Sequence, residues 1–186
     1  MIDTRGFALF ETAIGTCGIA WGSHGVLGVQ LPEASERQMR ALLLRRFPNA
    51  SETPPPSPVQ SAIDGIVALL DGKSSDLSSV TLDMDGVPEF HQRVYNVART
   101  IPPGSTVSYG EIAARLGEPA WPAARDVGQA LGQNPFPIVV PCHRVLAAGG
   151  KLGGFSARGG TATKRRLLSI ELASAPAFNI PLFEEL

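Results

Sequence analysis

Cys142 and His143 are adjacent within Asn134-Pro135-Phe136-Pro137-Ile138-Val139-Val140-Pro141-Cys142-His143-Arg144-Val145, a proline-bracketed apolar run that sets a thiol beside an imidazole. Proline fixes φ and drives the preceding residue into extended geometry, so Pro135, Pro137 and Pro141 make the segment stiff and non-helical. A rigid mount suits a nucleophile. The thiolate is the reactive form of cysteine, and an imidazole that takes the thiol proton, directly or through one water, raises its population. On that basis Cys142 is expected to titrate below the free-cysteine value of about 8.5. Adjacent strand residues point to opposite faces, so the pair can cooperate only if the chain turns at Pro141. Taken alone, a cysteine beside Ile and Val also fits an inert core residue.

A third group belongs with these two. Glu171 falls on the Leu167, Leu168 and Leu172 side of a helix expected from about Thr161 to Leu172, where an unpaired carboxylate would be costly. It therefore needs a partner. The plain alternative, an exposed carboxylate at a helix end, is weakened because the C-terminal end disfavours an anion.

The elements that must position these groups can be read from periodicity. Gly6 to Leu31 alternates apolar residues with Gly and polar ones, as a β-meander with turns near Gly15 and Ser23-His24-Gly25. Ser35 opens a helix through Phe47, with Met39, Leu42, Leu43 and Phe47 at helical spacing. Thr53 to Pro58 is an extended connector, Val59 to Leu70 a second helix, and Val80 to Met84 alternates like a strand. After Pro88 the pattern is helical: Glu89 to Arg99, then a capping box, Ser108-x-x-Glu111, opening a helix that Gly117 ends. Ala123 to Leu131 follows, with Val127, Ala130 and Leu131 inward and the small residues Ala123, Ala124 and Gly128 outward beside Arg125 and Gln129. Two short helices around a glycine turn suggest a helix-turn-helix, a weak signal by itself, and a small-residue face also fits close helix packing. The fold class expected is an α/β N-terminal domain, a small β-sheet with helices, over 1–86. A mostly α C-terminal domain with a helix-turn-helix follows over 87–172, with a tail over 173–186.

The run Pro-Cys-His-Arg-Val, with Asn134-Pro135 upstream and Gly153-Gly154-Phe155-Ser156 downstream, resembles the active-site signature of the O6-alkylguanine-DNA alkyltransferases, also called methylated-DNA–protein-cysteine methyltransferases. The match is collinear from about Phe90 to Leu172. The resemblance implies repair of double-stranded DNA by moving an alkyl group from guanine O6, with O4-alkylthymine a second lesion, onto the protein's own cysteine, once per molecule. It implies Cys142 as acceptor, His143 as its base through a bridging water, Glu171 orienting His143, and Asn134 bracing the turn. It assigns Tyr109, Val145, Phe155, Ser156 and Lys164 to the flipped base, Tyr109 as hydrogen-bond donor. Arg125 would fill the gap left by the base, on a helix whose Ala123, Ala124, Gly128 and Gln129 enter the minor groove, with His91 also on DNA. No metal and no cofactor are implied, and the protein is expected to be monomeric. The chain departs from the family pattern at the long loop Glu118 to Pro122, at Asp126, an anion near the phosphate path, and at Ala157-Arg158, which leaves the pocket width open. Arg144 is read as structural, bridging the domains or the turn.

Composition excludes several classes. The chain has 186 residues, 44% hydrophobic and 18% charged, as in an ordinary globular protein. No apolar run approaches a membrane span and no signal-peptide layout opens the chain, so a cytoplasmic protein is expected. Cys17 and Cys142, the two cysteines, offer no Cys-x-x-Cys site, and Cys17 with His24 and His91 makes a poor zinc set. Net charge is −1, but it is unevenly spread: six Lys and Arg against ten Asp and Glu over 1–85, ten against five over 86–172, and none against two thereafter. The basic excess lies with the cysteine, as a polyanion-binding half would require. A cysteine hydrolase would need a base across a cleft and an oxyanion hole, neither of which is signalled. A non-catalytic alkylated-DNA sensor or helix-turn-helix regulator could share the scaffold but would not need Cys142.

Overall fold

The computed structural model describes residues 5–174; the tail expected from 173 therefore lies outside them from 175 onward. Strands β1 (Arg5–Thr12), β2 (Gly15–Gly22) and β3 (Gly25–Gln30) form the expected antiparallel meander. A fourth strand, β4 (Ala50–Glu52), pairs parallel with β1, giving the order β3-β2-β1-β4. Three residues are too few for a period to announce them.

The sheet is covered on both faces. Phe7 pairs with Ala20, and both bury against Met39 and Leu43 of α1 (Glu36–Arg46) and Phe47 just beyond it, a helix that Ser35 caps by accepting from the Gln38 N–H. The alternate residues Cys17, Ile19 and Trp21 join the opposite core with α2 (Ser57–Leu70). That core runs on without a break into the second half, through Tyr95, Ile112, Val127 and Phe136. Val80 to Met84 is not a strand: a single parallel bridge, Val26 to Leu82, is made before the Asp83 carboxylate accepts the Asp85 N–H and bends the chain away.

The second half contains α3 (Glu89–Ala98), α4 (Tyr109–Arg115), α5 (Ala120–Gly132) and α6 (Thr161–Ser174). The capping box is complete, Ser108 Oγ accepting from the Glu111 N–H and Glu111 accepting from the Ser108 N–H. Gly117, at φ 77°, supplies the left-handed turn that ends α4. α5 starts three residues earlier than expected, so the loop from Glu118 shortens. Pro122 sits in the first turn, where no intrahelical N–H is needed. A two-residue parallel pair, β5 (Val107–Ser108) with β6 (Val145–Leu146), ties the start of α4 to the segment that follows Cys142. Among the described residues no helix is long and apolar enough to cross a membrane.

Candidate functional site

The proline-bracketed run is a pinned turn. Asn134 donates from Nδ2 to the Val140 carbonyl and accepts the Phe136 N–H at its Oδ1, both at 2.9 Å, while the Val140 N–H returns to the Phe136 carbonyl. Between them Ile138 is held at φ 73°, a conformation a β-branched residue adopts only under constraint, at a cost of about 1–3 kcal/mol. The chain turns at Pro141 into a single 3-10 turn, Cys142–Arg144, so thiol and imidazole are not on opposite faces of a strand. A backbone bond from the Val29 N–H to the Pro135 carbonyl fastens this turn to the sheet. Gly28 permits it, because a Cβ there would lie 3.2 Å from the Pro135 oxygen and 2.9 Å from Cζ of Phe47.

Behind Cys142 lies a buried polar cluster. His143 is 1% exposed and its Nε2 lies 2.7 Å from Oε1 of Glu171, itself 4% exposed. Arg144 donates from Nε and Nη2 to the same carboxylate and from Nη1 to the Ile101 carbonyl at 2.6 Å, and the Gly104 N–H reaches Glu171 Oε2. Glu171 thus has the partner its position demanded. Burial alone would raise its pKa, but hydrogen bonds from His143 and Arg144 outweigh burial and bring it down to about 2. For His143, burial wins over the attraction of Glu171 and lowers the pKa, so the ring is neutral. The neutral ring still donates from Nε2, and that bond together with the Arg144 donors keeps Glu171 ionised. With Nε2 donating to Glu171, the free lone pair is on Nδ1, which is buried and has no partner among the described residues.

The thiol itself departs from expectation. Burial raises the pKa of Cys142 despite the opposing hydrogen bond from Asn134, the charge of Lys164 and the N–H groups of Cys142 and His143. The resting pair is a neutral thiol beside a neutral imidazole. Sequence could signal the imidazole but not the 8% exposure that outweighs it.

Cys142 lines a cavity of about 520 Å³ that Tyr109, Ala124, Arg125, Gly128, Phe155 and Ser156 also line. Tyr109 opens α4, and burial raises its pKa, so its hydroxyl remains a donor. Gly153, at φ 68°, lets the next loop pass close by, since a Cβ there would lie 3.1 Å from the Tyr109 hydroxyl. Lys164 is fully buried, donates to the Val145 carbonyl at 2.6 Å and sits 5.8 Å from the Tyr109 ring centroid. Val145 is buried behind Cys142 in β6. Arg125, Asp126 and Gln129 are exposed on α5, but Ala123, expected on that outward side, is buried in the core. His91 is half-buried on α3 with its ring centroid 6.1 Å from that of Tyr95, and it does not line the cavity. Cys17 is buried in β2 with its thiol pushed up to about 12, and His24 lies with half-buried Asp83 and exposed Asp85 rather than with Cys17. Leu131 and Gly132, which also line the cavity, gave no sign beyond helical spacing.

Known proteins resemble this chain in sequence and in fold. Residues 89–173 match the family described as 6-O-methylguanine DNA methyltransferase, DNA binding domain. The methylated-DNA–protein-cysteine methyltransferase of Methanothermobacter thermautotrophicus is 38% identical over 154 residues, 83% of this chain and 78% of its own. That of Mycobacterium tuberculosis is 46% identical over 132 residues, 71% of this chain and 76% of its own. In structure, the Mycobacterium tuberculosis OGT solved in complex with DNA aligns at TM-score 0.74 and 36% identity, covering 92% of this chain and 96% of that one. The O6-methylguanine-DNA methyltransferase of Pyrococcus kodakaraensis aligns at 0.66 and 26%, covering 89% and 98%.

Proposed function

From the premise that this chain belongs to the methylated-DNA–protein-cysteine methyltransferase family, we infer that it repairs O6-alkylguanine in double-stranded DNA by taking the alkyl group onto Cys142, once per molecule. The observation that carries this is Cys142 lining a cavity that Arg125 and the small residues of α5 also line, with the buried His143–Glu171 pair next to it in sequence. A duplex base cannot reach a thiol that is 8% exposed, so the nucleotide is turned out of the stack, at a cost of a few kcal/mol. Arg125 finds no ion-pair partner among the described residues and stands where a guanidinium can occupy the space left behind. The slim face of α5 contributing to this is Ala124 and Gly128, with Gln129 exposed beside them.

The chemistry is one displacement. The thiol proton passes through a bridging water to His143 Nδ1, whose ring is held by Glu171 through Nε2. A bond forms between Sγ and the alkyl carbon as the carbon–O6 bond breaks, and the electron pair stays on guanine. Tyr109, kept protonated, is the donor suited to that charge, and guanine finally takes up the proton. Burial favours the neutral thiol and the neutral imidazole at rest, so transfer of the proton toward His143 is a step of the reaction. The thioether has no route back, so one chain repairs one lesion, acting as a monomer.

Titrating methylated duplex against protein and weighing the product by mass spectrometry tests this. One methyl group per chain, lost in Cys142→Ser, is expected. Turnover beyond one equivalent, or binding without transfer, would overturn it.

A further inference from the structure

A second opening reaches Cys142 from the side of the N-terminal sheet. It is a cavity of about 200 Å³ that shares Gly132, Cys142, Phe155 and Ser156 with the larger one under α5, and its far side is lined by Gln30 and Arg46. The thiol and the Phe155–Ser156 wall therefore border both spaces.

Arg46 is the charged end of this opening. Its Nη1 donates to Gln30 Oε1 at 2.9 Å and its guanidinium carbon lies 5.2 Å from the Phe47 ring centroid. As a residue it is exposed, yet burial of the head group lowers its pKa. Among the described residues no carboxylate pairs with it. Glu33, the acid on this side, is engaged by the Gln30 amide instead, Nε2 to Oε1 at 3.1 Å. A guanidinium has five N–H donors, and among the described residues a single one is used.

We propose that this opening is a subsite for the alkyl group itself, and that Arg46 gives it a preference for substituents ending in a carboxylate, the O6-carboxyalkylguanines. The proposal rests on the alkyl-transfer reading above. In a direct displacement Sγ, the alkyl carbon and O6 lie in line, so the rest of the chain must leave that line sideways. With guanine in the larger cavity, the sideways exit passes the shared Phe155–Ser156 wall into the smaller one. A methyl group needs none of this space. A chain of a few carbons extends into it toward the Gln30 and Arg46 side, where a carboxylate can take the unused donors in bidentate fashion. An uncharged chain of equal length covers the same guanidinium without a counter-charge. The bond changes are those already given: S–C forms, C–O6 breaks, and the carboxylate end is carried unchanged onto Cys142.

Single-turnover rates on duplexes carrying O6-methyl, O6-butyl and O6-carboxypropyl guanine test the assignment, in wild type, Arg46→Gln and Arg46→Lys. Wild type should react faster with the carboxypropyl than with the butyl lesion. Arg46→Gln should lose that preference, by roughly two- to fivefold as expected for a partly exposed ion pair, with the methyl rate unchanged. Arg46→Lys should keep most of it, and raised salt should erode it in wild type. Equal rates on the two long chains in wild type, or an equal slowing of all three lesions in Arg46→Gln, would overturn the subsite. Failure of wild type to accept even the methyl group would instead overturn the alkyl-transfer reading, and the subsite with it.

Discussion

Glu171 answers to three donors at once: Nε2 of His143, the Arg144 guanidinium and the Gly104 N–H. That a carboxylate on this apolar helix side needed a partner was legible; that the cation beside the histidine was also its partner was not, because a 3-10 turn puts two consecutive side chains on one acid. Removing Glu171 strands Arg144, so Glu171→Gln is expected to cost about 3–5 kcal/mol in urea unfolding, with much of it recovered when Arg144→Met is added. The folded fraction should react more slowly with free O6-benzylguanine, since the His143 ring loses its anchor. The same cluster sets an acid limit. The folded pKa of His143 is depressed, so below about 6.5 the unfolded chain binds a proton that the folded one refuses, and stability falls as pH falls. Glu171, held at about 2 against an ordinary 4.5, adds a second loss as pH drops through that interval. Unfolding midpoints measured from pH 7 down to 3 should decline in both windows, and His143→Gln should flatten the upper one; a flat profile in wild type would remove the buried relay.

Helix α5 shows how far an element can be read from its own residues. Val127, Ala130 and Leu131 were expected inside and are, and the capping box before α4 is formed as its spacing implied. The start of α5 and the burial of Ala123 were not legible, since a proline in the first turn looks the same as one in a loop. Strand β4 was missed, and Val80 to Met84 was over-read, for one reason: edge pairing of two or three residues depends on what lies alongside, not on the segment's own period. The exposed Arg125 at the cavity rim leads to a prediction for this element. If it stabilises the extruded nucleotide, Arg125→Ala should slow repair of duplex O6-methylguanine by about ten- to a hundredfold, the scale of a few kcal/mol of flipping cost, while reaction with free O6-benzylguanine stays within about twofold. Equal losses on both substrates, followed by quenched-flow assay, would move Arg125 from holding the gap to lining the pocket.

At the scale of the whole molecule, the coarse plan was legible and the attachment of its halves was not. A sheet followed by helices can be read from two periodicities in sequence. The Val29 to Pro135 backbone bond, the Arg166 guanidinium on the Ala13 carbonyl and the core shared by both halves join residues more than a hundred apart, which no local pattern records. Charge is the exception among long-range properties, because it can be counted. Residues 86–172 carry ten Lys and Arg against five Asp and Glu, yet Arg144 is consumed by Glu171, Lys164 is buried on a carbonyl, Arg93 pairs with Glu118, and Arg99 and Arg166 are held on backbone carbonyls, so half of these cations are engaged within the protein. Asp126, exposed next to Arg125 on α5, subtracts further. DNA affinity should accordingly be modest and carried by about four phosphate contacts, giving a slope of log K against log salt of about −3 to −4. Fluorescence anisotropy of a labelled duplex across a salt series measures it. Asp126→Asn should tighten binding at low salt without altering the rate on the free base, because it removes an anion from the DNA face and leaves the Cys142 cluster untouched. A flat salt response would take the basic half out of the binding surface.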